Sequence, residues 1–454
     1  MSHIELCKKA IDATVKFGAK EAEALVVSRH SISVEIERAE IKTCTDVWDA
    51  GIGIRALIDG KVGFAYTNIL TNEEVKKTAE QAVKASKASL KDKNWRKLPE
   101  KMRYPVVKDT YDKRLVEFTP DEAVTLCQRM MSSASEVDKR VLPAFGGTEV
   151  NVQEMVCVNT NGVEGKDVGT SLGCGLGAMA RSETQVSPVC SEFKASRLYA
   201  PEPEWAGKEA ARLAVESINV GEAKEGKFPI LFDQFALQSI LMYTFIPSIR
   251  GDMVSRGRSI FKNRLGESVA DRKISIYDDG TLPGGLNSGT TDMEGVPKQK
   301  TPLIERGILR SFLYDNYWAR IEGEKSTGNA SRGGGGLSLP TYGSVPVISP
   351  TNVQLMSGTV SEEELVSDVG NGYYVRSVQG AHQSNPETGE FSVALAPAWR
   401  IEKGEITHAV KGVMIAGNAY DMMKKFSLLG KDTRQVGMLI APKTVVSELN
   451  VITK

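Results

Sequence analysis

Residues 228–272 read FPILFDQFALQSILMYTFIPSIRGDMVSRGRSIFKNRLGESVADR. Pro229–Phe232 has the apolar run of a buried strand, and Asp233 stands where a helix N-cap belongs, able to accept from the free N–H groups of the first turn. From Phe235, the residues Leu237, Ile240, Leu241, Phe245 and Ile249 recur at three- and four-residue steps, with Met242, Tyr243 and Ile246 between them. That pattern predicts a helix apolar almost all round, hence buried. Pro247 should bend it or end it early.

Upstream, Glu5–Phe17 has the period of an amphipathic helix. Glu23–Arg29, Ser31–Arg38 and Glu40–Val47 read as short strands, and Asp59-Gly60 between Gly51–Ile58 and Lys61–Tyr66 is a strong hairpin signal. Thr71 with Glu74 announces a capping box for a helix over Asn72–Ser89, and Thr119-Pro120 starts another running to Val137. Strands follow at Val141–Phe145, Glu149–Asn159, Val163–Arg181 and Phe193–Tyr199, then a helix over Glu204–Ile218. This predicts an α+β N-terminal domain, residues 1–224, in two halves of about 1–98 and 110–224, with a boundary in Gly221–Gly226.

Downstream, residues 227–454 read as strand-rich. Thr301–Glu305 and Ile308–Tyr314 flank Arg306-Gly307 as a hairpin, and Ser361 with Glu364 caps a short helix. Glu390–Ala396, Trp399–Glu402, Glu405–His408 and Lys411–Ile415 are successive strands. Gly333–Gly336 reads as a loop. Asn418–Leu428 is predicted to be a helix ended by Gly430. The expected architecture is an antiparallel, barrel-like C-terminal domain.

Composition narrows the function. Lys+Arg and Asp+Glu both number 57 in 454 residues, so no basic sheath for nucleic acid is indicated. No apolar run approaches the roughly 20 residues that span a bilayer. The N-terminus lacks a signal peptide's apolar centre, and the scattered cysteines fit reduced thiols in a cytoplasmic protein. None of the six forms a CxxC pair, and all lie at or before Cys190. His3, His30, His382 and His408 include no pair four apart, so there is no HExxH helix. No G-x-S-x-G elbow occurs. Gly173-x-Gly175-x-Gly177 has no helix opening after it, as a phosphate cradle needs, and is better read as a strand closely approached by its neighbours. Asn329-Ala330-Ser331 fits a glycosylation sequon without a secretory context.

Several blocks in order carry a resemblance: GIGIRALIDGKVGFAYTN (51–68), FKNRLGESVA (261–270), YDDGTLPGG (277–285), GVPKQKTPLIERGILRSFLYD (295–315), KSTGNA (325–330) and IEKGEITHAVKGVMIAGNAYDMM (401–423). Together they resemble the TldD/PmbA family, also called modulators of DNA gyrase, over nearly the whole chain. One arm of that family carries a His-Glu-x-x-x-His helix and a later Cys that bind a metal ion. The resemblance sets that motif on Met242–Pro247, anchored by Gly251-Asp252, with Met242 and Pro247 at the His positions and Tyr243 at the Glu. No Cys follows Cys190. The chain is therefore similar to the other arm, TldE/PmbA.

What that implies is a non-catalytic subunit without a metal or cofactor of its own. Its expected partner is a TldD-like metallopeptidase subunit holding zinc or iron, and the pair would degrade or process small unfolded peptides. Its peptide-contacting residues are not implied. Two other readings stand beside it: a stand-alone peptide-binding or regulatory protein acting on gyrase or toxin–antitoxin pathways, or a metal-free peptidase acting as a homodimer. Met242 and Tyr243 are expected to be largely buried or to face a shared chamber.

Overall fold

The computed structural model describes residues 2–333 and 342–453. From residue 334 onward, the Gly333–Gly336 reading lies outside them. No described helix is long and apolar enough to cross a membrane.

The N-terminal strands are far longer than the short runs expected. Glu23–Arg29 and Ser31–Arg38 belong to one strand, Glu21–Glu37, and the next runs without interruption from Glu40 to Ile58. Val141–Asn159 likewise joins two expected strands. At the usual rise a 19-residue strand runs about 60 Å. No proline or turn dipeptide interrupts Glu21–Glu37, and edge-to-edge pairing carries it through. It is flanked by Glu40–Ile58 on one side and Val141–Asn159 on the other. The two halves of the N-terminal region therefore share one antiparallel six-stranded sheet. Asp59 and Gly60 both take positive φ, 52° and 82°, as the hairpin signal requires.

Strand alternation then sorts the sheet's faces. Ala22, Ala24 and Val26 pack under His3–Lys16 and Asn72–Ala88, while Ile32, Val34 and Ile36 pack under Pro120–Val137 and Pro203–Glu216. Leu25 and Val27 point the other way, onto Met155, Cys157 and Met293. Helix starts follow the capping signals: Thr119 and Glu122 close a full capping box, whereas Thr71 accepts from the Glu74 N–H alone.

The C-terminal half builds a 13-stranded sheet. It is mixed rather than purely antiparallel and does not close into a barrel: Val353–Leu355 runs parallel to Leu439–Thr453, and Gly372–Val375 parallel to Gly226–Phe232. The hairpin at Arg306-Gly307 forms, its second strand trimmed to Ile308–Leu309. The Asn418–Leu428 helix is shorter than expected. It covers Ala419–Lys424, and Phe426–Val436 is a strand that contains Gly430. Phe426 and Leu428 fall within the expected helix, but they pair with Val446 and Val445 of the last strand. Long-range pairing prevails there over local periodicity.

Candidate functional site

The quoted stretch begins as expected. Gly226–Phe232 is a central strand, and Asp233 caps the helix Gln234–Tyr243, accepting from the Phe235 N–H at 3.1 Å. The helix then breaks at Thr244 (φ −124°, ψ −71°) and resumes for one turn over Phe245–Ser248. Pro247 accounts for the break. It has no N–H, and its ring would meet the carbonyl four residues back, that of Tyr243. The Thr244 hydroxyl donates to the Ile240 carbonyl at 2.7 Å and so satisfies an acceptor near the helix end.

The positions aligned with the metal motif differ in their surroundings. Met242 is half-buried against the C-terminal core. Of the two settings expected for it, burial or a face on a shared chamber, Tyr243 is not buried: it is 43% exposed, and its ring stands edge-on to His382 at 6.4 Å. Pro247 is half-buried on the following turn. Among the described residues, no group of three His, Cys, Asp or Glu side chains is placed to hold a metal. A thioether, a phenol and a prolyl ring do not match the imidazole and carboxylate donors of a zinc or iron site.

The remaining candidates scatter. His3 lies 3.5 Å from Glu154, His30 bonds to Asp46 at 2.6 Å, and His408 reaches the Glu222 carbonyl at 3.0 Å. Five cysteines are buried and only Cys44 is exposed. Gly173, Gly175 and Gly177 lie inside the strand Glu164–Ala180, and a Cβ at Gly177 would meet the Phe145 ring, which is the close approach expected. Asn329 is buried and donates to Asp278 at 2.7 Å, so its side chain is taken.

Sequence reasoning missed two buried ion clusters that join the halves. In one, Glu23 on the six-stranded sheet receives Arg55 (2.6 Å) and Arg332, while Arg55 also reaches Glu294 (2.7 Å). Burial alone would raise the Glu23 carboxyl, but Arg55 and Arg332 hold it below the usual range. In the other, Arg376 bridges Asp233 (2.6 Å) and Glu192 (2.7 Å), Tyr374 donates to Asp233 (2.9 Å), and Arg434 joins Glu192. The helix cap of the quoted stretch is thus also an anchor to the N-terminal sheet. The available signal was a lone Glu23 inside the apolar run Ala22–Val27, since a charge there needs a partner.

Comparison with known proteins matches this architecture. The PmbA/TldA metallopeptidase C-terminal domain matches residues 225–453, domain 1 matches 22–86 and the central domain 113–218. An uncharacterized protein of Methanocaldococcus jannaschii is 32% identical over 96% of this chain and 98% of its own length. The metalloprotease PmbA of Escherichia coli O157:H7 is 26% identical over 94% of this chain and 92% of its own. Among solved structures, TldE from Thermococcus kodakarensis superposes with a TM-score of 0.92 at 29% identity, covering 98% of this chain and 99% of that one. A candidate modulator of a DNA gyrase from Thermotoga maritima gives 0.89 at 29%, covering 99% and 100%. Fold and matches together define a protein of the metallopeptidase-related class. The chain belongs to the TldD/PmbA family.

Proposed function

We propose that this chain is the non-catalytic, TldE-like subunit of a two-chain metallopeptidase that degrades or processes small unfolded peptides. The observation that carries the reading is the segment Met242–Pro247. Where the resemblance sets a metal-binding helix, this chain has a helix broken at Thr244, a half-buried thioether and an exposed phenol. The likeness to TldE from Thermococcus kodakarensis along the whole chain supports it. The partner would supply the metal ion, which activates water for peptide hydrolysis. This chain would complete the peptide-holding cavity in the cytoplasm.

The test is co-expression with the His-Glu-x-x-x-His-bearing family member of the same organism. A co-purifying complex that cleaves unstructured peptides, and stops when chelated, supports the reading. Chelator-resistant cleavage by the lone chain, surviving further purification, overturns it.

A further inference from the structure

Among the described residues, the six-stranded sheet leaves one long edge without a partner strand. Glu40–Ile58 pairs with Glu21–Glu37 throughout, but on its other side it meets Lys61–Thr67 only from Ile52 to Ile58. Every residue from Thr43 to Trp48 is exposed, and among the described residues no strand pairs with that outer side. In an antiparallel strand with one partner, alternate residues aim both backbone groups away from it. Such an edge is a template for another strand, and proteins that avoid this place Lys, Pro or a bulge there. A register shift does occur at the strand's start, opposite Glu35 and Ile36. Beyond it, Thr43–Asp49 (TCTDVWD) has no Lys and no Pro, and its Thr, Val and Trp favour strands.

The edge also carries an anchor. Trp48 is 76% exposed yet held, stacked on His30 at 3.9 Å with the rings 7° apart. His30 is in turn bonded to Asp46. An exposed aromatic fixed before binding loses little freedom when covered.

Charge selects the occupant. Thr43–Asp49 holds Asp46 and Asp49 and no cation, and Asp49 already accepts from the Tyr342 hydroxyl at 2.9 Å. A second copy pairing there would bring acidic strands together, which destabilises a sheet. We propose that Thr43–Asp49 is the docking strand for an extended segment of the partner chain, with apolar side chains against Val47 on one face and Trp48 on the other and a basic one toward Asp46. This rests on the two-chain reading above.

Cys44 lies within this edge and is the one exposed cysteine, so maleimide labelling of the full-length chain reports on its cover. The probe partner is the same metal-bearing family member. Expected is a complex in which Cys44 labels about tenfold more slowly, and which Val47→Lys weakens about tenfold while Val47→Thr does not. A complex with Cys44 labelling at the free rate and Val47→Lys binding like the parent overturns this inference and leaves the two-chain reading standing. Protection of Cys44 in the lone chain that grows with concentration overturns it in favour of self-pairing. Absence of any complex overturns the two-chain reading, and this one with it.

Discussion

Arg376 and Asp233 form a buried ion pair at 2.6 Å, and through it the N-cap of the Gln234–Tyr243 helix is tied to Glu192 of the N-terminal sheet. The carboxylate serves three donors at once: the Phe235 N–H, the Tyr374 hydroxyl and the Arg376 guanidinium. The start of this helix is held by both halves of the molecule, whereas its end at Tyr243 opens toward solvent. The consequences for the degenerate motif follow from that difference.

The purified chain should carry no stoichiometric zinc or iron, because Met242, Tyr243 and Pro247 offer no imidazole or carboxylate. Elemental analysis after chelation is the check. About one metal ion retained per chain would falsify the assignment of the metal to the partner.

Restoring the motif with Met242→His, Tyr243→Glu and Pro247→His should lower stability modestly and give no peptidase activity. Positions 242 and 247, both half-buried, each receive a polar group at a cost of about 1 kcal/mol apiece. Glu at 243 would be solvated, since Tyr243 is 43% exposed. Removing Pro247 allows the helix to continue. A thermal melt and a peptidase assay decide it. Tight zinc binding with peptide cleavage would show that only the ligands had been lost.

Glu23→Ala should destabilise strongly, by about 3–5 kcal/mol, because it strands Arg332 in a buried site and leaves Arg55 with Glu294 alone. Urea unfolding measures this. A loss below about 1 kcal/mol, the scale of a surface pair, would mean that the cluster is hydrated in solution.

Stability should fall as pH rises toward the alkaline side. Burial and the nearby Glu294 carboxylate push Asp292 up to about 8, against the N–H donors of Val296, Ala330 and Glu294. A carboxyl whose folded pKa lies above its unfolded value near 4 contributes stability that is complete below about 4 and lost as pH rises through about 8. Unfolding free energies at pH 5, 6.5 and 8 should decline in that order. Asp292→Asn should be less stable overall, since its amide would face the Ala330 N–H, but its decline over this range should be shallower. An unchanged slope would assign the pH dependence to other groups.

Local chemistry was legible in the sequence by itself. The Asp59-Gly60 turn, the Ser361–Glu364 capping box, the Asp233 N-cap and the helix break ahead of Pro247 each depend on residues within one turn of each other. The missing donors at Met242, Tyr243 and Pro247 are equally a matter of residue type, and no tertiary arrangement could turn them into imidazoles or a carboxylate. Tertiary structure decided what depends on distant partners. It fused Glu23–Arg29 with Ser31–Arg38, because strands on both sides support the pairing through His30. It turned Phe426 and Leu428 from helix to strand through the last strand, whose pairing energy local periodicity does not register. It exposed Tyr243 on an otherwise apolar helix, and it brought Arg332 to Glu23 across more than 300 residues. A buried charge needs a counter-charge from wherever the fold can bring one, and that identity is a property of the assembled layers rather than of any window of sequence.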